Sequence, residues 1–263
     1  MAVTAQQVKE LRDATGISMM ECKKALDETN GDMQLAHDVL RKRGLAKAAK
    51  ASDRQTSEGA IGIDIVGNTA YVVSAQCETD FVANTPDYHK MVSDFIAILK
   101  ADNNEVSARA KMETQKAEYV LKMGENINIK DVKVITGGTV GYYLHSNAKV
   151  AAVIVAKEAW VDGEKLRGVA MHATATNPDF LSASEISEDV LTKEKTIQLE
   201  MMKADPKFAG KPDQVLEQII GGKMNKFKEE ISLLEQAFVM NPEQKVKDFI
   251  GEGTLSAFYR FKI

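Results

Sequence analysis

Several features are scarce or missing in this 263-residue chain, and each absence excludes a class of protein. Cys22 and Cys77 are the only cysteines, and the four histidines share no ligand spacing, so neither a disulfide framework nor a zinc site is expected. No run of about 18 apolar residues could span a membrane, and Arg12 and Asp13 fall where a signal peptide has its apolar core. These absences predict a cytoplasmic protein with reduced thiols.

An excess of positive charge is also missing, because the formal net charge is −4 and no long basic patch occurs. Nucleic acid is therefore not expected as a direct partner. The closest string to a phosphate-binding loop, Gly137-Gly138-Thr139-Val140-Gly141, lacks the lysine and the long spacer of such a loop and leads into a strand. We therefore expect no cofactor and no metal ion. The length of the chain suffices for two or three hydrophobic cores.

The first 44 residues predict three short helices with capping residues at their starts and glycine near their ends. For the first helix, Thr4 and Gln7 predict a capping box and Gly16 the end. The predicted spans run to Thr15, from Met19 to about Thr29, and from Asp32 to Arg43, with the last helix ending at Gly44. Their apolar stripes are Val8, Leu11 and Thr15; Cys22, Ala25, Leu26 and Thr29; and Leu35, Ala36, Val39 and Leu40. Residues 45–58 predict a helical tail followed by a linker.

Met20 does not fit the pattern of the second helix, because it lies on the polar face, opposite Cys22 and Leu26. Single exposed apolar residues are common, so its position alone proves nothing. Together with Met19 it could instead form a small docking patch, for which methionine is well suited because its side chain adapts to a partner.

An internal repeat becomes visible when the chain is shifted by 79 positions, which brings Gly59, Gly62 and Asn68 onto Gly138, Gly141 and Asn147. Each copy predicts two strands joined by a tight turn, at Gly67-Asn68 and at Ser146-Asn147. A helix follows in each copy, over Pro86–Lys100 and Gly163–Ala175. Two similar α+β subdomains are the simplest interpretation.

The string Thr79-Asp80-Phe81-Val82 follows the predicted strand Thr69–Cys77 and precedes a helix, so it lies at a corner between them. One interpretation is that Thr79 or Asp80 caps the turn and Phe81 returns to the core. The other is that the pair projects outward and binds a partner. In the second copy the string falls on Glu158-Ala159-Trp160-Val161, so the aromatic position recurs and is expected to be partly structural. The acid does not recur, which makes Asp80 the better functional candidate.

The rest of the chain is predicted to be mostly helical. A charged helix spans about Glu105–Lys122, and residues 184–235 predict a helical hairpin with its tip at Asp205–Pro212. The two narrow apolar stripes of its arms suggest an antiparallel coiled coil, which could self-associate. These stripes are Val190, Ile197, Met201 and Ala204 on one arm, and Leu216, Ile220, Phe227, Ile231 and Leu234 on the other. A helix start at Asn241-Pro242 and a final strand, Ser256–Ile263, complete an α+β fold.

Several strings in this order resemble the bacterial elongation factor Ts family over essentially the full chain. They are Val8-Lys9-Glu10-Leu11-Arg12, Met19-Met20-Glu21-Cys22-Lys23-Lys24-Ala25-Leu26, Thr79-Asp80-Phe81-Val82-Ala83, Gly124-Glu125-Asn126-Ile127-Asn128-Ile129, Ala170-Met171-His172 and Phe238-Val239-Met240. The resemblance implies a guanine-nucleotide exchange factor for elongation factor Tu, without a chemical step of its own. It also implies a ubiquitin-associated-like module and linker (residues 1–54), a duplicated core (55–136, 137–183 and 236–263) and a coiled-coil hairpin (184–235).

The resemblance also implies which residues meet elongation factor Tu. Those expected to disturb its magnesium site are Thr79, Asp80, Phe81 and Val82, of which Asp80 and Phe81 enter its G domain. Those expected to dock on the G domain are Lys9, Arg12, Met19 and Met20. Further core contacts are expected from Met123, Gly124 and His145, the last near the third domain of elongation factor Tu. Longer members carry a further helical segment after the last strand, whereas this chain ends at Ile263. Any docking contact of that segment is expected to be absent, which bears on affinity and not on exchange itself.

Two other functions fit parts of the sequence. A ubiquitin-associated-like adaptor or a nascent-chain-binding protein would use Met19 and Met20, but it leaves the core without a role. A small-molecule enzyme would use the acid-base and thiol groups Cys77, Glu78, Asp80 and His89, which lie close together in sequence. Such clustering is more typical of a helix start with solvated charges.

Overall fold

The computed structural model describes residues 3–208 and 212–263, which divide into two compact units. The first unit contains the described residues up to Ile135, together with His145–Val150 and Phe261–Ile263. The second contains Thr136–Leu144 and the described part of Ala151–Arg260. Both units mix helices with antiparallel strands, so the predicted α+β class is confirmed. No helix among the described residues is long and apolar enough to cross a bilayer.

The first unit begins with three helices, α1 (Ala5–Thr15), α2 (Met19–Glu28) and α3 (Met33–Ala51). Thr4 and Gln7 form the predicted capping box, and Gly16 ends α1 as expected. The three helices enclose a small core that contains Val8, Leu11, Ile17, Cys22, Ala25, Leu26, Ala36 and Leu40. Leu35, which was predicted to lie on the buried stripe of α3, is exposed.

Gly44 does not end α3, contrary to the prediction, since the helix continues to Ala51. The reason is tertiary packing against helix α6 (Glu105–Met123). A Cβ atom on Gly44 would lie 2.6 Å from the carbonyl oxygen of Ala117, so only glycine allows the two backbones to approach this closely.

We therefore expect Gly44→Ala to lower the free energy of unfolding by about 1–3 kcal/mol, because the added methyl group forces the two helices apart. Gly222→Ala is the matched control. Gly222 lies inside a helix with nothing near its missing Cβ atom, so alanine should stabilise by roughly 0.5–1 kcal/mol. Urea unfolding of both variants measures the difference, and equal effects would refute the close approach.

The remainder of the first unit is a three-stranded sheet covered by helices. Strands β1 (Glu58–Val66), β2 (Thr69–Cys77) and β3 (Ile127–Thr136) lie in the order β1-β2-β3. Val66 pairs with Thr69, which confirms the two-residue turn at Gly67-Asn68. Gly67, and not Asn68, adopts the positive φ that this turn needs. Helices α4 (Asp80–Ala83), α5 (Pro86–Asp102) and α6 follow β2, and their apolar faces cover the sheet.

The second unit repeats the arrangement of sheet and helix. Strands β4 (Thr139–Leu144) and β5 (Val150–Ala156) pair antiparallel, and helix α7 (Gly163–Thr176) follows. The turn between β4 and β5 is wider than predicted. Ser146 and Asn147 are its central residues, and the N–H of Ala148 donates to the carbonyl of His145 at 2.7 Å. Ala148 rather than Asn147 has the positive φ.

A helical hairpin follows, formed by α8 (Glu188–Ala204) and α9 (Asp213–Ile231). Residues 209–211 of the predicted tip lie outside the described residues. The stripe predicted for the first arm is wrong, because Met202 is buried whereas Ile197 and Met201 are exposed. In the second arm Ile220 is buried as predicted, and Lys223 donates to the side chain of Gln198 across the arms at 3.0 Å.

The predicted helix start at Asn241-Pro242 is also wrong. Strand β6 (Ala237–Phe238) pairs with β7 (Asn241–Lys245), which tolerates Pro242 because this sheet has only two strands. The helix begins later, as α10 (Val246–Ile250), where the Asp248 carboxylate accepts from the N–H of Lys245. The final strand β8 (Leu255–Lys262) joins the second sheet in the order β4-β5-β8.

His172 ties α7 to the β6–β7 hairpin in the core of the second unit. Its Nε2 donates to the Gln236 side chain at 2.8 Å, and its Nδ1 accepts from the N–H of Val239 at 3.1 Å. Burial lowers the pKa of His172 below its ordinary value, although the bond to Gln236 acts in the opposite direction. The ring therefore holds this hairpin in place only while it is neutral.

Stability should consequently fall as the pH is lowered through about 6.5, because the unfolded chain then binds a proton that folded His172 resists. His172→Asn retains an acceptor for the N–H of Val239 but does not titrate. Thermal unfolding between pH 8 and pH 5 should show a smaller loss for this variant than for the unmodified chain. A loss of the same size in both proteins would assign the titration to another group.

Candidate partner-binding site

The corner between β2 and α5 is held in place by its own cap and by contacts with the core of the first unit. The hydroxyl of Thr79 caps α4 by accepting from the N–H of Val82 at 3.3 Å. Ala83, at the end of α4, is buried in the core of the first unit, and Val82 packs against the same core. The buried Tyr88 hydroxyl donates to the carbonyl of Ala75 at 2.7 Å, which links α5 to β2. The corner is thus held by capping, packing and a buried hydrogen bond.

Phe81 projects from this anchored corner and is 83% exposed. Thr79 does cap the turn, but the idea that Phe81 returns to the core is wrong. The matching aromatic of the second copy, Trp160, is also 78% exposed, so the expectation of a partly structural aromatic position is wrong as well. An exposed phenylalanine on a fixed backbone can insert into a partner without first being ordered.

Asp80 lies beside Phe81 and is exposed. Within residues 3–208 and 212–263 its carboxylate has no hydrogen bond or ion pair. Asp80 acts electrostatically on Lys149, whose pKa is raised mainly by its hydrogen bond to Glu58 and to a smaller extent by Asp80. The Asp80 carboxylate is therefore available to accept from donors of another molecule.

Glu125 holds the backbone of the corner from the loop after α6. One carboxylate oxygen accepts from the N–H groups of Glu78 and Thr79 at 3.1 and 3.0 Å, and the other accepts from the Thr79 hydroxyl at 2.6 Å. In return, the Glu78 carboxylate accepts from the N–H of Asn126 at 2.7 Å. Sequence reasoning missed this role of Glu125, although the residue belongs to one of the strings that carry the family resemblance.

The predicted G-domain contacts lie on α1 and α2 and are all accessible. Lys9 and Arg12 are exposed on α1, and Arg12 pairs with the neighbouring Asp13 at 2.6 Å. Met19 is exposed, and Met20 is 68% exposed, so Met20 is not a core residue. The predicted docking residues are therefore not needed for the core of α1–α3 and are open to a partner.

Lys122 connects this patch to the region of the corner. Its ammonium pairs with Asp87, in the first turn of α5, at 2.6 Å. The same side chain lies against the α1–α2 turn, where a Cβ atom on Gly16 would be 2.6 Å from its Nζ. The turn before Met19 and the start of α5 are thus joined through one side chain.

Met123 and Gly124 end α6 next to Glu125, and Gly124 adopts a left-handed conformation with φ of 85°. Met123 is half-buried against the core of the first unit. His145 is exposed, and its Nδ1 accepts from the N–H of Ser146 at 2.9 Å. The structure therefore brings Gly124 close to Thr79 through Glu125.

Two groups of the enzyme hypothesis, Cys77 and Glu78, are held by contacts within the chain. Burial raises the pKa of Cys77 to about 11, so its thiol is not a nucleophile at neutral pH. The Glu78 carboxylate accepts from the N–H of Asn126 and pairs with Arg54. Both contacts lower the pKa of Glu78, and the bond from Asn126 has the larger effect. No group of three or more His, Cys, Asp or Glu side chains in the described part of the chain could hold a metal ion. Together these facts favour a binding surface over an acid-base site.

Comparison with known proteins shows which family the chain resembles. The family model described as Elongation factor TS matches residues 78–263. The chain is 41% identical over 266 residues to the elongation factor Ts of Pseudomonas entomophila (strain L48), covering 100% of this chain and 91% of that protein. It is 40% identical over 267 residues to the elongation factor Ts of Photorhabdus laumondii, covering 99% and 92%. The elongation factor Ts of Pasteurella multocida (strain Pm70) is 41% identical over 266 residues, with coverage of 99% and 92%.

Proposed function

The chain belongs to the elongation factor Ts family, and on that premise we propose that it is a guanine-nucleotide exchange factor for elongation factor Tu. It binds elongation factor Tu carrying GDP, disturbs the magnesium and phosphate site, and promotes release of GDP during translation elongation. The observation that carries the proposal is the exposed pair Asp80 and Phe81 on a backbone that other residues hold in place. Among the described residues the Asp80 carboxylate has no hydrogen-bond or ion-pair partner.

An exchange factor of this kind needs no bond-making residue. It must bind the nucleotide-free state of its partner more tightly than the GDP-bound state, because only a difference in affinity shifts an equilibrium. Phe81 supplies an apolar wedge, to which a packed partner core responds by discrete repacking. Asp80 supplies a carboxylate that either holds the displaced elements or competes electrostatically near the magnesium ion. GDP must in turn expel the factor as strongly as the factor expels GDP.

Docking area and exchange are divided between different parts of the first unit. Lys9, Arg12, Met19 and Met20 dock on the G domain, and the exposure of Met20 supports this assignment. Further contacts come from Met123, Gly124 and His145. Thr79 and Val82 act with Asp80 and Phe81 at the magnesium site, Thr79 as the cap and Val82 as the packing anchor.

We assign the finer architecture on the same basis. Helices α1–α3 form a ubiquitin-associated-like module within residues 1–54, and α8 with α9 forms the coiled-coil hairpin of residues 184–235. The duplicated core comprises residues 55–136, 137–183 and 236–263. We further propose that the protein acts in the cytoplasm without direct nucleic-acid contact, and that its hairpin can self-associate.

The direct test is release of a fluorescent GDP from purified elongation factor Tu. We expect the unmodified chain to accelerate release in a saturable manner. A release rate that does not respond to any concentration of the folded chain would overturn the proposal. Tight binding of the chain without acceleration would instead favour the adaptor hypothesis, in which Met19 and Met20 serve binding alone.

A further inference from the structure

The geometry points to Glu125 as a positioning residue for the exchange surface. We infer that its carboxylate fixes the backbone from which Asp80 and Phe81 project, and that it acts on exchange through this corner rather than by touching the partner. The inference rests on the exchange function proposed above. It gives a role to the loop Gly124–Asn126 that is different from direct docking.

Three donors converge on the Glu125 carboxylate, namely the N–H groups of Glu78 and Thr79 and the hydroxyl of Thr79. These groups lie where β2 has ended and α4 has just begun, so neither the strand nor the helix supplies acceptors for their N–H groups. Hydrogen bonds to an ionised acceptor are shorter and stronger than neutral ones. With three donors from its own chain, the carboxylate has little capacity left for a partner.

The contact is reciprocal. The Glu78 carboxylate accepts from the N–H of Asn126 at 2.7 Å and pairs with Arg54 at 3.2 Å. The Asn126 side chain, which is buried, donates to the carbonyl of Arg54 at 2.8 Å. The Glu125 carboxylate thus accepts from backbone N–H groups of the segment that carries Glu78, and the Glu78 carboxylate accepts from the segment that carries Glu125. These two segments are 46 residues or more apart along the chain. This arrangement, here called the glutamate clasp (Glu78, Thr79, Glu125 and Asn126), fixes the corner in both directions.

The exposed pair depends on such a clasp because α4 is too short to fix itself. A single helical turn is unstable in isolation, since few hydrogen bonds offset the fixed dihedral angles. Phe81 is 83% exposed, so its own side chain contributes little to holding it in place. Its direction is set by Thr79 at one end of the turn and by the buried Ala83 at the other. Loss of the clasp releases the first of these two supports.

A double-mutant cycle tests the inference. Glu125→Ala should lower the maximal rate of GDP release from elongation factor Tu by roughly 5- to 20-fold, because displacement of about 1 Å at a reacting surface is costly. The half-saturating concentration should change by less than about twofold, since the docking residues are untouched. In the Asp80→Ala/Phe81→Ala background, Glu125→Ala should have no further effect, because residues that act through one another are not additive.

Glu125→Gln is the conservative control. Its amide oxygen can still accept from both backbone N–H groups, so most of the exchange rate should be retained. Equal loss in Glu125→Gln and Glu125→Ala, with the amides of Glu78 and Thr79 still protected from hydrogen exchange in Glu125→Gln, would mean that the partner binds the negative charge itself, which overturns the inference. So would a full additional loss in the Asp80→Ala/Phe81→Ala background, or an unchanged rate in Glu125→Ala.

Hydrogen exchange gives a readout that needs no partner. The amides of Glu78 and Thr79 should exchange faster in Glu125→Ala than in the unmodified chain, and unchanged exchange would contradict the clasp. This readout can be obtained even if the unmodified chain fails to accelerate GDP release from elongation factor Tu. Failure of the inference is therefore distinguishable from failure of the proposed function. If Glu125→Ala does not fold, Glu125→Asp replaces it throughout, because its shorter side chain keeps the charge but loses the reach.

Discussion

Phe81→Ala and Asp80→Ala should each slow stimulated GDP release from elongation factor Tu by roughly ten- to a hundred-fold at saturating factor. This corresponds to loss of a differential contact of about 1.4–2.8 kcal/mol between the GDP-bound and nucleotide-free states. Neither variant should unfold, because both side chains are exposed. Complex formation should stay detectable, since the docking residues of α1 and α2 are unchanged. Stopped-flow release of a fluorescent GDP measures both effects.

The second copy of the repeat supplies the matched control for this result. Trp160 stands at the position that corresponds to Phe81, is similarly exposed, and has Ala159 in place of the acid. Trp160→Ala should therefore leave both the exchange rate and the thermal unfolding temperature nearly unchanged. If Trp160→Ala slowed release while Phe81→Ala did not, the exchange surface would lie in the second copy.

Met20→Asp should raise the half-saturating concentration of the factor by roughly 5- to 150-fold, which corresponds to about 1–3 kcal/mol. The new carboxylate would lose its hydration in an apolar contact without gaining a partner. The maximal release rate should change little, because Met20 lies on the docking helices and not at the corner. Titration of elongation factor Tu with the variant, together with its thermal unfolding, provides the measurement.

Val106→Asp is the control for Met20→Asp. Val106 is 80% exposed on α6, so it tests whether any new negative charge on the first unit impairs binding. We expect its half-saturating concentration to match that of the unmodified chain. A loss of fold in Met20→Asp, without a separate loss of binding in the folded fraction, would contradict the docking assignment.

Local patterns in the sequence predicted the local structure well. The span of β2, the capping box at Thr4 and the start of α6 at Glu105 all follow from short-range rules, and the structure agrees with each. In these places the neighbouring residues determine the backbone, because caps, turns and strand alternation involve contacts within a few positions.

Long-range packing explains the predictions that were wrong. Gly44 ends no helix because Ala117, far along the chain, lies against it. Asn241-Pro242 starts no helix because β6 pairs with the segment that follows. The exposure of Trp160 could not be predicted either, since an aromatic residue after a strand is compatible with both core and surface.

The candidate site shows the same limit. The string Thr79-Asp80-Phe81-Val82 was recognisable as a corner, and the absence of an acid at Ala159 singled out Asp80. The sequence could not distinguish a projecting Phe81 from a buried one. It also gave no sign that Glu125 holds the corner, because that contact joins segments 46 residues apart through backbone donors.

The most direct test of the central claim is the preference of the factor for nucleotide-free over GDP-bound elongation factor Tu. The two dissociation constants should be measured by calorimetry for the unmodified chain and for Asp80→Ala/Phe81→Ala. We expect the unmodified chain to prefer the nucleotide-free form, and the double variant to lose roughly ten- to a hundred-fold of this preference while binding the GDP-bound form equally well. An identical ratio of dissociation constants in the two folded proteins would contradict the assignment of exchange to this corner.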